Sequence, residues 1–373
     1  MTHHDSPVDL EAIRSALAED DEPSWEPGET SMTRMSDQDV TMRLGVPLPD
    51  PGELAQLDRK AAKVRAFAAA PSAGDATALP AKHDLRNIGG ANYAGAIRNQ
   101  GSCGSCVAFG SVAVMEGTAR YSRRTPGLNV DLSEAHLFYG HGAGHGVTCQ
   151  TGWLPKPALA ECASKGITYE ANWPYTSGNT NGGSAPANWE SHRGKATGSV
   201  DLTSKVADIK QHLVNTGPVT ACFIVYNDFF GYTSGVYKHV SGAQAGGHCV
   251  AIVGYDDSQG AWICKNSWGT GWGMNGFFLI KYGECYIDTW QNVAVSGVNL
   301  RTWTGNVKVL GAYASGHQRN GWVYMENTGW LLVGGTTDTA HTALFADLLN
   351  AKEENAFVGA YNDDGKITQL YAY

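Results

Sequence analysis

A chain of 373 residues with 42% hydrophobic content can bury a sizeable core, and two or three globular units are expected. Thirty-six acidic against 27 basic residues give a formal charge of −9, and no cluster of Lys and Arg is available to meet phosphates, which excludes a general nucleic-acid binder. No apolar run reaches transmembrane length, and the opening MTHHDSPVDLEAIRSALAEDDEP has neither a basic nor an apolar signal stretch. The sequence as written therefore predicts no membrane partner and a cytoplasmic location, with secretion as the alternative.

Residues 1–79 are acidic at the start, rich in Pro, Ala, Asp and Glu, free of cysteine, and read as a segment of their own. Ser36 is placed to cap a short helix running to about Leu44, and residues 52–70 set Leu54, Leu57, Ala61, Val64 and Phe67 near one helical face. The stretch 71–80, PSAGDATALP, has the composition of an exposed linker, where proteolytic nicking concentrates. Cleavage there would start a mature chain near Leu79 or Pro80.

From Ser105 to about Tyr121 the pattern predicts a helix with Phe109, Val112, Ala113, Glu116 and Ala119 along one stripe. Glu116 reads as a satisfied buried carboxylate. A second helix is predicted at 155–165, before Gly166. From 217 onward the pattern turns to strands, GPVTACFIVY, GGHCVAIVGYD, AWICKNSW and GFFLIKYG, separated by Gly and Asp turns. A helical half before a β half predicts an α+β protein in two lobes, with a site between them to which both contribute.

Residues 300–373 carry further strand signals at Val307–Tyr313, Trp322–Met325, Trp330–Val333, Phe357–Tyr361 and Ile367–Tyr373, with a helix at 340–352. Asn362-Asp363-Asp364-Gly365 is a hairpin signal in preference to a metal loop. This reads as a small appended β-rich domain. Its Trp322, Trp330, Tyr371 and Tyr373 are expected to be core aromatics more than a platform for a partner or polysaccharide, and no ligand is assigned to them.

The densest chemical signal is QGSCGSCVAF at 100–109. Cys106 lies where a glycine-containing turn enters a helix, so unpaired backbone N–H groups and the helix dipole favour a thiolate. Attack on an amide needs a group to protonate the leaving nitrogen, and His248 in GGHCVAIVGYD, 142 residues on, is the candidate. Asn266 in KNSWGTGWG, 18 residues later, can accept from the imidazole N–H while Trp268 shields that bond from water.

QGSCGSC, GHCVAIVGYD and KNSWGTGWG, in this order, resemble the papain and cathepsin family of cysteine peptidases, whose local signature around the cysteine and downstream His and Asn are well known. The resemblance covers about 80–295, starts from PAKHDLR and includes WPYTS and YGECYID. It implies a helical left lobe, a β-barrel-like right lobe and a cleft between them, with a propeptide at 1–79 as intramolecular inhibitor, a peptidase domain at 80–299 and the β-rich domain at 300–373. It places Cys106, His248 and Asn266 as the catalytic set and Gln100 as the side-chain donor of the oxyanion hole. No metal or organic cofactor is needed, and a monomer acting on peptide or protein substrates is expected.

By the same alignment the S2 subsite is lined by Trp153, Leu154, Cys222, Cys249 and Trp290, with Trp268 nearby and Gly152 offering backbone hydrogen bonds to an extended substrate. Two indoles and no acidic floor imply an apolar preference, and the lack of an occluding-loop insertion after 149–153 favours endopeptidase action. Three departures stand out: Val107 where the family usually has Trp, no long ERFNIN-type helical pattern in 1–79, and His141 where one family bridge would have an end. Cys103 and Cys149 occupy positions that bridge in the family.

Eight cysteines allow four bridges or several buried thiols plus a reactive one, and the pairing of Cys222 with Cys249, or of Cys264 with Cys285, stays open. Cys162 reads as a core thiol, Cys103-Gly-Ser-Cys106 as neither a redox pair nor half a zinc site, and His141, His145 and Cys149 as loop residues. Two alternatives to a hydrolase are kept: a ligase or transpeptidase that passes the acyl group to an amine, and a catalytically idle papain-fold binding protein.

Overall fold

The computed structural model describes residues 6–20, 24–68, 79–178 and 183–372. The expected linker at 71–80, except its last two residues, and His3 and His4 lie outside them. Among the described residues no helix is long and apolar enough to cross a membrane.

The N-terminal segment holds helix α1 (Leu10–Ala18), strand β1 (Trp25–Pro27), helix α2 (Asp37–Thr41) and helix α3 (Pro51–Ala68). Ser36 caps α2 as expected, its Oγ accepting from the Asp39 N–H at 3.2 Å. The α-helix ends at Thr41 and is continued as a turn to Leu44, the Arg43 and Leu44 N–H groups donating to the Val40 and Thr41 carbonyls at 3.1 and 2.9 Å. On α3, Leu57, Ala61 and Val64 are buried, the face the sequence singled out.

Next come β2 (Lys82–Asp84), α4 (Cys106–Ser122), α5 (Pro155–Ser164), the short β3 (Ile167–Thr168), β4 (Arg193–Ala196), β5 (Ser199–Asp201) and α6 (Val206–Asn215). Helix α4 is buried nearly all round, with Val107, Val114 and Met115 as inaccessible as the expected stripe. Glu116 is satisfied there by Arg120 at 3.2 Å and by the Leu132 N–H at 2.8 Å. Opposite α4 stands a sheet of β6 (Val219–Tyr226), β7 (Tyr232–Tyr237), β8 (Gln244–Asp256), β9 (Ala261–Lys265) and β10 (Phe277–Lys281). Its path is β1-β7-β10-β9-β8-β2, with β6 also paired to β8, so the N-terminal segment supplies an edge strand to it. One hydrophobic core runs through the segment and both lobes. The fold is α+β in two lobes.

The chain then passes through β11 (Val293–Val295), which pairs with β5, and β12 (Val298–Trp303) into β13 (Val307–Ala314), β14 (Gly321–Met325), β15 (Gly329–Val333), α7 (Asp338–Glu353), β16 (Phe357–Asp363) and β17 (Lys366–Ala372). The last five strands form a ring. β13 pairs with β14, β14 with β15, β15 in parallel with β17, β17 with β16, and β16 back to β13. A second core of Val307, Val309, Val323, Met325, Leu331, Val333, Leu348, Val358 and Ile367 fills it beneath α7. The hairpin signal at 362–365 is realised, with Asp364 and Gly365 at φ of 52° and 98°. This unit does not hang from a tether. β12 pairs with both β16 and β4, so the sheet continues into the peptidase-like body. The Arg123 guanidinium also donates to the Val298 carbonyl at 2.6 Å.

Candidate active site

Cys106 opens α4. Its N-cap, Ser105, makes no side-chain capping bond and instead pairs its hydroxyl with Tyr175 Oη at 2.7 Å; of the first N–H groups, that of Ala108 donates to the Ser105 carbonyl at 2.9 Å and the Val107 backbone bonds the thiol. Across from it β8 presents His248. His248 and Asn266, the residue just after β9, are joined by a 2.8 Å hydrogen bond between Nε2 and Oδ1, and Asn266 Oδ1 also accepts from the Ser267 N–H at 2.8 Å. That second bond fixes which end of the amide faces the ring, so Nε2 carries the proton. Nδ1 of His248 is buried without a hydrogen-bond partner and is left as the base-capable nitrogen. The Trp268 indole lies 4.7 Å from the imidazole, centroid to centroid, and only 1% of it is exposed.

Gln100 is held from both ends. Its Oε1 accepts from Ser267 Oγ at 2.7 Å, and its Nε2 donates to the Cys103 carbonyl at 2.8 Å and to the Arg43 carbonyl at 2.9 Å. The second acceptor belongs to the N-terminal segment. After the turn that ends at Leu44, Gly45 and Val46 run along the cleft. The Trp153 N–H donates to the Gly45 carbonyl at 2.9 Å, and the Val46 N–H to the Gly247 carbonyl at 3.0 Å. Gly45 is pressed so close that a Cβ built on it would come 1.9 Å from the Gly104 carbonyl oxygen.

This cover changes the electrostatics. Burial pushes the Cys106 thiol up to about 12, against opposing backbone hydrogen bonds from Cys249, Gly45 and Val107. Burial likewise lowers the His248 imidazole to about 4 despite the Asn266 bond. The thiolate expected at a helix start is thus not the form of the covered site, because desolvation outweighs the helix N-terminus there.

Of the expected subsite residues, Cys222 and Cys249 are register partners across β6 and β8, and Cys222 forms a bridge with Trp290. All three are buried. A Cβ on Gly247 would meet Trp290 Cη2 at 2.8 Å and Val46 Cβ at 3.1 Å, which brings the indole and the segment's valine to one spot. Gly152 plays a different part from the one expected. Its N–H goes to the Thr148 carbonyl at 2.9 Å, and the strand-like bond to the segment comes from Trp153. What Gly152 supplies is room, since a Cβ there would sit 2.0 Å from the Gly45 oxygen, and its φ of 61° also suits glycine. Leu154 is half-buried as the N-cap residue of α5. Trp268 packs on Phe229, Phe230 and Trp272 and covers the His–Asn pair, so it is a wall behind the imidazole rather than a surface for peptide.

Cys103 and Cys149 are bridged, which ties the loop carrying Gly152 and Trp153 to the turn before Cys106. Cys106, Cys162, Cys222, Cys249, Cys264 and Cys285 are free and buried. His141 bonds the Gly166 carbonyl at 2.8 Å and His145 bonds Glu161 at 2.9 Å. Sequence reasoning missed Ser267 and Tyr175 as residues that hold Gln100 and Ser105, although both stand in motifs it quoted. It also did not single out Arg43, Gly45 and Val46, which carry no periodic signal.

Residues 79–295 match the domain described as papain family cysteine protease. The chain belongs to that family. Over 202 residues it is 37% identical to Cathepsin B-like CP3 of Giardia intestinalis, covering 51% of this chain and 66% of that protein. Over 213 residues it is 33% identical to the Gut-specific cysteine proteinase of Caenorhabditis elegans, covering 50% and 64%. The matched part of this papain-family chain thus spans just under two thirds of these relatives' length. Among solved structures it is similar to proCathepsin B S9 from Trypanosoma congolense, with a TM-score of 0.59, 23% identity, and 77% of this chain and 96% of that chain covered. A second likeness is to the digestive procathepsin L2 proteinase from the Tenebrio molitor larval midgut, with a TM-score of 0.54, 24% identity, and 76% and 86% covered. At these identities the structural likeness bears on the fold.

Proposed function

We propose that this papain-family chain is the zymogen of a cysteine endopeptidase, with residues 1–79 as inhibitory prosegment, 80–299 as peptidase domain and 300–373 as a further C-terminal unit. The observation that carries the reading is the 2.8 Å bond from His248 Nε2 to Asn266, which leaves Nδ1 free on the strand facing the helix that Cys106 opens. Once the cleft is uncovered, the Cys106 thiolate attacks the scissile carbonyl carbon and its oxygen takes the negative charge. Nε2 of Gln100 and the Cys106 backbone N–H stabilise that oxyanion. The tetrahedral intermediate collapses as the His248 imidazolium protonates the departing amine, leaving a thioester. His248 then takes a proton from water, hydroxide adds to the thioester carbon, and the acid leaves with Cys106 restored.

The zymogen reading rests on the Arg43–Val46 stretch. Its Arg43 carbonyl occupies the Gln100 amide and its Gly45 lies over the nucleophile's turn, so a substrate carbonyl cannot reach either. Val46 beside Trp290, with Cys222 and Cys249 behind, supports an S2 subsite that takes an apolar side chain. The ligase alternative uses the same groups, and only the acceptor of the acyl group distinguishes it.

The test is mass spectrometry after incubation with an epoxide inhibitor of the E-64 type, on wild type and Cys106→Ala, with and without prior acidification. One adduct on Cys106, with loss of roughly the first 79 residues in wild type only, is the expected result. No adduct even in a chain starting at Leu79 would sink the catalytic reading. Adding an amine nucleophile and finding mostly transferred product would favour the ligase.

A further inference from the structure

Trp322 and Trp330 are expected from sequence to be core more than platform, and the structure turns both to the outer face of the C-terminal ring. On β14 and β15 the inward side chains are Val323, Met325, Leu331 and Val333, which pack beneath α7. Alternation therefore sends Trp322, Tyr324, Trp330 and Leu332 outward. Tyr324 and Trp330 are register partners, with ring centroids 5.5 Å apart and tilted by 63°. On the neighbouring β13, Gly311 is the partner of Tyr324 and Tyr313 the partner of Trp322. Trp330 is 50% exposed and Tyr313 55%. Gly311 keeps a gap in the row open, since a Cβ there would come 3.3 Å from Tyr324 and 3.6 Å from the Trp330 ring.

The ring order, in which the first strand pairs with the second and fourth and the third pairs in parallel with the fifth, with a helix between the third and fourth, is that of the OB-fold. In that barrel the face of the second and third strands and the adjoining loops take oligonucleotides and oligosaccharides. Fold alone does not assign a ligand, so the face must choose. An oligonucleotide needs cations along its backbone. Residues 300–373 have five basic against seven acidic residues. Of this unit's cations, Arg319 is engaged by Asp338 at 2.6 Å, Lys308 lies over the Phe357 ring at 5.1 Å and Arg301 bonds Asp363 and Asp364 at 2.7 and 2.9 Å, while the exposed Lys366, register partner of Leu332, is a single cation at the edge of the face. One cation at the edge is not the row of cations a phosphate backbone needs, and the aromatic rings suit the uncharged C–H face of a sugar ring instead.

Polar groups for its hydroxyls are at hand in the loop from β13 to β14. The Trp322 indole N–H donates to Asn320 Oδ1 at 2.7 Å, and Asn320 Nδ2 donates to Ser315 Oγ at 2.6 Å, which fixes the ring and presents an amide and a hydroxyl beside it. Three adjacent strands make the platform roughly 10 Å wide, enough for a short oligosaccharide.

We propose that Tyr313, Trp322, Tyr324 and Trp330 form a binding site for a neutral oligosaccharide, which would tether the protein to glycan-bearing material. The site is independent of the peptidase reading and stands or falls without it.

The test uses the full chain carrying Cys106→Ala to prevent processing. It is screened on an array of neutral glycans and then titrated by tryptophan fluorescence with whichever of cellohexaose, chitohexaose, laminarihexaose or mannohexaose binds best, with a single-stranded oligothymidine as the control. Expected are saturable glycan binding, at least tenfold weaker binding for Trp330→Ala and for Tyr324→Ala at unchanged thermal midpoint, and no oligothymidine binding at physiological salt. The proposal is overturned by an array without a hit or by glycan binding that survives both substitutions. Salt-sensitive oligothymidine binding in its place, or a dimer dissolved by Trp330→Ala with no glycan bound, would assign the face to another partner.

Discussion

The carbonyl of Arg43 accepts a 2.9 Å hydrogen bond from Nε2 of Gln100, a side chain otherwise anchored by Ser267 and the Cys103 carbonyl. One group of the N-terminal segment thus occupies the donor that a developing oxyanion would need. Both partners are buried, so water does not compete for the bond.

Gln100→Ala should therefore act on two properties in opposite directions. In the processed enzyme it removes one oxyanion donor, which costs roughly 2.7–4 kcal/mol of transition-state stabilisation, a loss of about 10²–10³ in kcat with little change in KM. In the intact chain it removes a bond to the segment and should weaken its hold. Steady-state kinetics, with a glutamate variant to preserve shape, checks the first. A drop confined to KM would show that Gln100 holds ground-state substrate only.

Covering the cleft keeps Cys106 and His248 neutral, with the thiol raised to about 12 and the imidazole lowered to about 4 by burial. Between those values the intact chain holds no thiolate. When Arg43–Val46 leaves, water returns and solvates both groups, the thiol pKa falls and the imidazole pKa rises, and the helix N-terminus then favours the thiolate–imidazolium pair. Alkylation of Cys106 by iodoacetamide should be slow across pH 5–8 in a chain made resistant to processing. It should be at least about tenfold faster at pH 6 once the segment is removed. Equal rates in the two forms would show that the segment does not control ionisation.

Gly45 is the narrowest point of the cover. Because a Cβ on it would lie 1.9 Å from the Gly104 carbonyl oxygen, and one on Gly152 2.0 Å from the Gly45 oxygen, neither backbone can yield without lifting the strand. Gly45→Ala should loosen the segment by about 1–3 kcal/mol, the range for forcing an extra methyl into a packed place. Expected are faster labelling of Cys106 by an E-64-type epoxide and earlier self-processing, at unchanged activity of the mature enzyme. Wild-type processing kinetics in the variant would mean that the segment is held elsewhere, for example by α3.

The body of the fold was legible because its strands alternate or run apolar and its turns carry Gly and Asp: β6, β9 and β10 fall within the expected stretches, and β8 begins two residues before its own, at Gln244. Helices α1 and α6 escaped although Ile13 and Leu17, and Val206, Ile209 and Leu213, are spaced on one face, because each is short and flanked by polar residues; other missed elements show no period. β7, YTSGVY, breaks any alternation with Thr233, Ser234 and Gly235 in a row, and β1, WEP, ends in proline yet pairs with β7 at the sheet edge. The site residues were legible as motifs because side-chain chemistry restricts them. Arg43–Val46 was not, since its hold on the cleft is made by main-chain groups that any residue has. The outward aromatics of β14 and β15 were misread for a different reason: an apolar residue at alternate positions has the same pattern whether its face meets a core or solvent. Only the helix α7, packed on the other side, decides it.

His136 offers a test of pH-dependent stability away from the cleft. Its Nδ1 accepts from the Thr168 N–H at 2.9 Å, so the ring must be neutral with its proton on Nε2. Burial, with His141 and Lys165 nearby, lowers it to about 3. A histidine whose folded pKa is depressed binds fewer protons folded than unfolded, so stability falls as pH drops below the unfolded value near 6.5 and continues to fall until about 3. At 1.36 kcal/mol per unit, His136 alone should cost the fold about 2 kcal/mol between pH 7 and pH 5. Urea unfolding of the intact chain carrying Cys106→Ala at several pH values should show that slope, and His136→Gln, whose amide oxygen can still accept from Thr168, should flatten it while lowering stability at pH 7. His83, His141, His212 and His248, also lowered by burial, add to the wild-type slope and remain in the variant, and because His141 packs 4.4 Å from His136 the difference between the two chains reports on that pair. Parallel curves for the two would place the proton uptake elsewhere.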